Sequence, residues 1–311
     1  MSIPSFILFI IMYIISFMYV LNIDDWILVW LGLELNMMSY VVLIYKKHDM
    51  HVLEACFKYF LIQSSGSALL LVVFYLYKLS SVVILLLSYK LGAGPFFYWF
   101  PSVCSGVGWL SCYVLMTFQS VMPLFLMSGF LSMIMWYIII MSLVLGVLGS
   151  MNQVNIKSLF AYSSIHHLGW LISCMFMSDL FWLWYLLIYS LMLSSMIFYL
   201  LLYDINNFYT LGKHKNKGWF MIGFMSMGGL PPLLGFFLKW SGFMYILAVN
   251  YLFVMFLLLM SVIMLYIYMR VVYDALMMNN TSMGWLNLLK ADYLNFFGFI
   301  IGMVIGLMMM M

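Results

Sequence analysis

Glu34, Lys58, Lys90 and Lys239 each stand inside an otherwise apolar run of sequence. At the centre of a membrane-spanning helix a charged side chain costs about 2.5–3.5 kcal/mol on insertion scales, so such residues are kept for a reason. Glu34 is the ninth residue of its run, about 12 Å from one end and about 16 Å from the other at a rise of 1.5 Å per residue, too deep to reach the headgroups. Carboxylates and amines take and release protons. For a buried lysine, burial disfavours the ammonium form and a nearby carboxylate restores it, so small changes in surroundings move its proton. Lys90, midway along its run and five residues before Pro95, fits that description, and so does Lys239 behind a second Gly/Pro cluster. Snorkelling of the amine towards the bilayer surface is the alternative for both lysines. Glu54 and Lys58 have the i, i+4 spacing of a local salt bridge as much as of a relay pair. His166 and His167 sit side by side near the middle of another run and point about 100° apart, so one of the two faces inward. Ser163, His167 and Trp170 share one face of that helix, and Tyr162, His166 and Gly169 share another. An imidazole titrates near neutrality and suits proton transfer, although a buried hydrogen bond explains a histidine equally well.

The elements that must hold these residues are membrane helices. Of 311 residues, 68% are hydrophobic and 7% charged, where a soluble domain carries roughly a quarter charged residues. So little charge does not cover a water-exposed surface, and in hydrocarbon every backbone polar group must be paired within helices or a closed barrel. The apolar runs are continuous and about twenty residues long, which predicts helices. Eleven spans are expected at roughly 3–22, 26–45, 52–77, 79–101, 106–128, 130–150, 155–177, 180–203, 219–247, 249–273 and 294–311. Short connections and the absence of a polar linker make them a single membrane domain.

Two spans are punctured. The fourth contains Lys90-Leu91-Gly92-Ala93-Gly94-Pro95, and the ninth contains Gly228-Gly229-Leu230-Pro231-Pro232. Proline removes a backbone donor and glycine unwinds readily. Interruptions at matching places five helices apart predict two inverted five-helix repeats, about 1–128 and 130–273, followed by a C-terminal helix at about 294–311. Such paired interruptions point to a transport site. Loops after even-numbered spans hold Lys46, Lys47, Lys157, Lys213, Lys215, Lys217, Arg270 and Lys290, whereas odd loops hold Lys78 together with Asp24, Asp25 and Asp179. By the positive-inside rule the N-terminus lies inside and the C-terminus outside.

Other chemistries leave no trace. The formal charge of +3 is spread along the chain, without the basic patch of a nucleic-acid binder. Cys56, Cys104, Cys112 and Cys174 form no C-x-x-C pair and read as buried thiols, not as ligands of zinc or iron–sulfur clusters. No nucleotide loop, nucleophile–base set or haem-ligand pattern is visible. The run from Ile3 to Leu21 has no basic leader and is expected to be a retained helix. Asn280-Thr281-Ser282 spells a sequon that arises easily by chance, and the 33 methionines fit packing and lipid contact.

The strings GLELNMMSYVVLI (32–44), EACFKYFLIQSSGS (54–67), KLGAGPFFYWFPSV (90–103), NQVNIKSLFAYSSIHHLGW (152–170) and GGLPPLLGFFLKW (228–240) run in order over most of the chain. Together they closely resemble the subunit 2 family of mitochondrial NADH–ubiquinone oxidoreductase, respiratory complex I. The resemblance implies an antiporter-like subunit of the membrane arm, in the eleven-helix animal form. It would sit in the mitochondrial inner membrane, N-terminus on the matrix side and C-terminus on the intermembrane-space side. It implies a hydrophilic axis of Glu34, Lys90 and Lys239, with Lys58 and His167 also matching the family pattern. It also implies partners, namely subunit 4, the small subunit 4L, accessory subunits and phospholipids. NADH, ubiquinone, flavin and iron–sulfur clusters would belong to other subunits, with none bound by this chain. A free-standing cation/proton antiporter, or a spacer of the same complex that does not pump, is the alternative.

The sequence departs from the family at three places. The family's T-W-Q-K-x-A-P string is Thr117-Phe118-Gln119-Ser120-Val121-Met122-Pro123 here, so a serine replaces the central lysine. After Lys90, Phe97 and Ser102 replace a His and a Glu, and Leu238 replaces a proline. If a proton path survives, Ser120 should face a polar, hydrated pocket approached by His166 or His167. The alternative is a bond from its hydroxyl back to its own helix.

Overall fold

Uninterrupted apolar runs become single helices, and the Gly/Pro clusters become their ends. The computed structural model of the chain describes residues 3–22, 25–76, 80–176, 180–203, 205, 218–231, 233–247 and 251–277. In chain order the helices are α1 (Ile3–Asn22), α2 (Trp26–Ile44), α3 (Met50–Leu76), α4 (Ser80–Leu91), α5 (Trp99–Gly106), α6 (Trp109–Met116) and α7 (Phe118–Ser128). They continue as α8 (Ile134–Ser150), α9 (Ile156–Met175), α10 (Phe181–Leu202), α11 (Gly218–Gly228), α12 (Leu234–Leu247) and α13 (Tyr251–Met277). Among the described residues there is no strand. Among the described residues, five segments are long and apolar enough to cross a membrane: Trp26–Ile44, Met50–Tyr75, Trp109–Ser128, Phe181–Leu202 and Tyr251–Ala275. The expected run at 294–311 lies outside the described residues, as do Asp24, Lys78, Asp179, Lys213, Lys215, Lys217, Lys290 and the sequon at 280–282.

The outward surfaces are apolar in stripes at helical spacing. On α1, Ile7, Leu8, Ile11, Ile14 and Met18 are exposed, and on α13 so are Leu252, Met255, Leu259, Val262 and Tyr266. Stripes of this size are unfavourable in water and ordinary against lipid or an apolar neighbour.

By contact, the chain divides into two compact units, residues 1–145 with 164–173, and residues 146–163 with 174–311. In the first, α2 packs along both α1 and α3, α3 along α4 and α5, and α7 against α4 and α6. In the second, α10 packs on α11 and α12, and α13 on the same two.

Both interruptions use one backbone device. α4 stops at Leu91, and Gly92 follows with φ +69°, the left-handed conformation that favours glycine. Gly92 N–H donates to the Tyr89 carbonyl at 3.2 Å and Ala93 N–H to Ser88 at 3.1 Å. This pair of bonds is the Schellman end of a helix. α11 stops at Gly228, Gly229 has φ +83°, and Gly229 and Leu230 repeat the pattern onto Ser226 at 3.1 Å and Met225 at 3.2 Å. Helix restarts at Trp99 after the first interruption and at Leu234 after the second. Pro232, read as part of the second cluster, lies outside the described residues.

One expected span behaves differently. The run 106–128 is kinked, with α6 and α7 meeting at Thr117 (φ −116°, ψ −73°). Thr117 Oγ1 donates to the Tyr113 carbonyl at 2.8 Å, a side-chain bond of the kind that bends helices.

Candidate functional site

Four polar side chains on α2 and α3 build the first part of the site. On α2, Glu34 and Asn36 are two residues apart and point about 200° apart, to opposite sides of the helix. Glu34, half-buried, accepts a hydrogen bond from the Ser67 hydroxyl on α3. Asn36 Nδ2 donates to Gln119 Oε1 at 2.7 Å, tying α2 to α7. One turn before Ser67, Gln63 Nε2 donates to the carbonyl of Lys90 at 2.8 Å. Trp99 Nε1 reaches the Tyr89 carbonyl at 3.1 Å. Gln63 thus caps a carbonyl at the end of α4, and Trp99 adds a second donor to the Tyr89 carbonyl that Gly92 N–H already reaches.

The Lys90 side chain is thereby left to face inward. It is 5% exposed and lines a cavity of about 30 Å³ together with Asn36, Gln63, Gln119, Ser120 and Ser164. The apolar wall includes Leu33, Met37, Trp99, Phe100 and Leu168. Among the described residues no ion pair within 4 Å joins the Glu34 carboxyl group to the Lys90 amine. The site therefore places the Glu34 carboxyl group and the Lys90 amine on two helices that both pack on α3, with Lys90 beside a small void at the end of an interrupted helix.

Ser120 is buried on the cavity wall, and its hydroxyl bonds back to the Thr117 carbonyl at 2.7 Å. The wall beside Ser120 mixes polar and apolar side chains, and the Ser120 hydroxyl is engaged within its own helix. Among the described residues neither histidine lines the cavity, although Ser164 and Leu168 of the same helix do. His166 and His167 are buried with ring centroids 5.9 Å apart. Trp170 Nε1 donates to His166 Nε2 at 3.3 Å.

Lys58 lies outside this constellation. It is 45% exposed and pairs with Glu54 at 2.6 Å one turn away. Pairs of this kind contribute little. Lys58→Met is therefore expected to leave both the stability and the proton-transfer activity of the protein near their unsubstituted levels. A thermal melt and a proton-pumping assay on the same membranes would check it.

Lys239, in the second unit, is 6% exposed. Its Nζ donates to the Gly228 carbonyl at 2.7 Å. The negative end of α11 faces that amine, an arrangement favourable to a cation. The two interruptions are therefore capped differently, one by the neutral Gln63 amide from another helix and one by the site lysine itself.

Glu34, Lys90 and Ser120 were legible from the sequence; Gln63, Ser67, Asn36 and Gln119 were not singled out. Their signal is a polar side chain inside an apolar run, which many serines here share without forming a site. The four cysteines are buried and none is in a disulfide. Among the described residues no cluster of three or more His, Cys, Asp or Glu side chains is placed to hold a metal ion.

Two helices thus end at left-handed glycines, with the buried Lys90 and Lys239 close to those ends. Residues 24–92 and 79–265 match the family described as NADH:quinone oxidoreductase/Mrp antiporter, TM. NADH-ubiquinone oxidoreductase chain 2 of Locusta migratoria is 34% identical over 290 residues, covering 86% of this chain and 84% of that protein. The chain 2 protein of Anopheles gambiae is 34% identical over 309 residues, covering 93% and 90%. The chain belongs to the NADH-ubiquinone oxidoreductase chain 2 family, the family its sequence strings resemble. Respiratory complex I from Thermus thermophilus with bound aureothin shares the fold, with a TM-score of 0.79 at 20% identity over 97% of this chain and 78% of that one. The Mrp complex of Dietzia shares it at a TM-score of 0.68 and 12% identity, over 87% of this chain and 59% of that one.

Proposed function

We propose that this chain is a proton-translocating subunit of the membrane arm of complex I, with Glu34, Lys90 and Lys239 as its relay. In this reading it spans the mitochondrial inner membrane with eleven helices, as two inverted five-helix repeats and a C-terminal helix. The N-terminus lies on the matrix side and the C-terminus on the intermembrane-space side. Subunits 4 and 4L, accessory subunits and phospholipids cover the apolar stripes. Electrons pass from NADH through flavin and iron–sulfur clusters to ubiquinone in other subunits.

The observation that carries the proposal is Lys90, buried at an interrupted helix end and lining a cavity together with Asn36, Gln63, Gln119 and Ser164. Moving a proton on or off one of two coupled groups changes the affinity of the other, which is how charge displaced elsewhere is felt here. The cavity of about 30 Å³ exceeds the roughly 10–15 Å³ that one water needs. Asn36, Gln63, Gln119 and Ser164 offer it partners. Water bridging along that wall would carry a proton past Ser120, which has no charge of its own to offer. Lys239 would receive the proton in the second repeat, with His167 and His166 as further candidates outside the cavity wall.

The test is the ratio of protons moved to electrons transferred in membranes holding the assembled complex. Lys90→Met is expected to lower NADH-driven proton translocation at least about tenfold, the scale of losing a positioned acid–base group. A second reading, a subunit that only spaces its neighbours, is favoured by the engagement of the Ser120 hydroxyl with Thr117. Unchanged ratios in both Lys90→Met and Glu34→Gln would select it. Cation/proton exchange by the isolated chain in vesicles would select the free-standing antiporter instead.

A further inference from the structure

We propose that Ser67 is a positioning residue for Glu34, a hydroxyl rotor that keeps the carboxyl group hydrogen-bonded in both of its protonation states. The inference rests on Glu34 changing its protonation during turnover, as the relay requires. Ser67 is 1% exposed, and its Oγ lies within bonding reach of two acceptors. One is Glu34 Oε1, and the other is the Ser64 carbonyl in its own helix at 2.9 Å. A hydroxyl has one proton to donate and lone pairs to accept with, and it turns freely about its C–O bond.

Two acceptors for one proton define two settings. With Glu34 ionised, the hydroxyl donates to the carboxylate. When a proton arrives at Glu34, the new carboxylic O–H donates to Ser67 Oγ, and the serine proton turns to the Ser64 carbonyl. Ser67 keeps its own proton throughout and no charge passes through it. Glu34 is never left buried without a partner, in either state. This lowers the difference in cost between the two states, which an unpaired buried carboxylate would make large.

The surroundings hold the rotor in place. Trp30 Nε1 donates to the Ser67 carbonyl at 3.0 Å from one turn before Glu34 on α2. Gln63, one turn before Ser67, holds the Lys90 carbonyl at 2.8 Å. One face of α3 therefore sets where both relay groups stand. With Ser67 occupying the carboxylate, Glu34 and Lys90 stay coupled without the closed ion pair that would trap a proton.

The experiment compares Ser67→Ala, Ser67→Cys and Ser67→Thr in membranes holding the assembled complex, with Glu34→Gln and Lys90→Met alongside. Assembly is read on native gels and pumping as protons per electron. Ser67→Ala is expected to lower the pumping rate about tenfold, the worth of a hydrogen bond to a charged group. Ser67→Cys, close in size but a weak donor, should behave like Ala, and Ser67→Thr should restore pumping. Ser67→Ala at the unsubstituted level beside an impaired Glu34→Gln overturns the rotor and leaves the relay standing. So does Ser67→Thr no better than Ser67→Ala. If Ser67→Ala fails to assemble, Ser67→Cys decides, and equality of Cys with Thr overturns the proposal. Normal pumping in both Glu34→Gln and Lys90→Met removes the relay itself, and the rotor with it.

Discussion

Gly94→Ala is expected to abolish incorporation of the chain into its membrane complex. Gly94 lies in the interruption after α4, where the backbone passes directly over α8. A Cβ added there would stand 2.5 Å from the backbone nitrogen of Ser142 and 2.6 Å from the carbonyl carbon of Met141. Neither is the end of a flexible side chain that swings aside. Relief requires moving the interruption or α8, and the interruption also presents Lys90 to its cavity. Ordinary overpacking costs about 1–3 kcal/mol, and rigid backbone on both sides places this substitution at or above the top of that range. Gly129→Ala is the control, because Gly129 has an ordinary φ of −75° and its added Cβ would meet its nearest atom at 3.5 Å. Native gels of membranes expressing each variant give the readout. Normal assembly of Gly94→Ala would show that the approach of the interruption to α8 is dispensable.

Lys239→Met should damage the protein twice, in stability and in proton transfer. The Schellman bonds at the end of α11 occupy the carbonyls of Met225 and Ser226, and the Gly228 carbonyl is taken by Lys239 Nζ at 2.7 Å. Removing the donor leaves a buried acceptor unsatisfied, at about 1–3 kcal/mol, and removes the cation facing the negative end of the helix. Lys239→Gln separates the two roles. Its amide is a neutral donor that supports the cap but does not carry a proton on and off at physiological pH. Thermal melts of the solubilised complex should therefore rank Lys239→Gln above Lys239→Met, while both lose pumping. Equal melting of Lys239→Met and the unsubstituted chain would show the cap to be energetically idle. Pumping by Lys239→Gln would take Lys239 out of the relay.

The elements that the sequence specifies unaided are those decided locally. A run of about twenty apolar residues has no other way to satisfy its backbone in hydrocarbon than to become a helix. A glycine at the left-handed position ends such a helix wherever it stands, and so Gly92 and Gly229 mark the interruptions in sequence and structure alike. The family was equally legible, because its strings are carried by the residues around those interruptions and by Glu34.

What the tertiary structure alone decided is which polar side chain meets which. In a soluble helix the apolar stripe marks the buried face, but a helix with lipid on one side and protein on the other is apolar all round. Phase along the chain then does not separate inside from outside. Lys58 and Lys90 look alike in sequence, yet one is exposed beside Glu54 and the other is enclosed. Trp170 donates to His166, and the span through Thr117 bends where the sequence predicts continuity. Gln63 and Ser67 resemble many other polar residues in apolar runs. They matter because the packing of α3 against α2 and α4 brings them to the Lys90 carbonyl and the Glu34 carboxylate. Local sequence settles where a helix starts and stops, whereas a buried hydrogen bond needs two partners that only the packing of separate helices brings together.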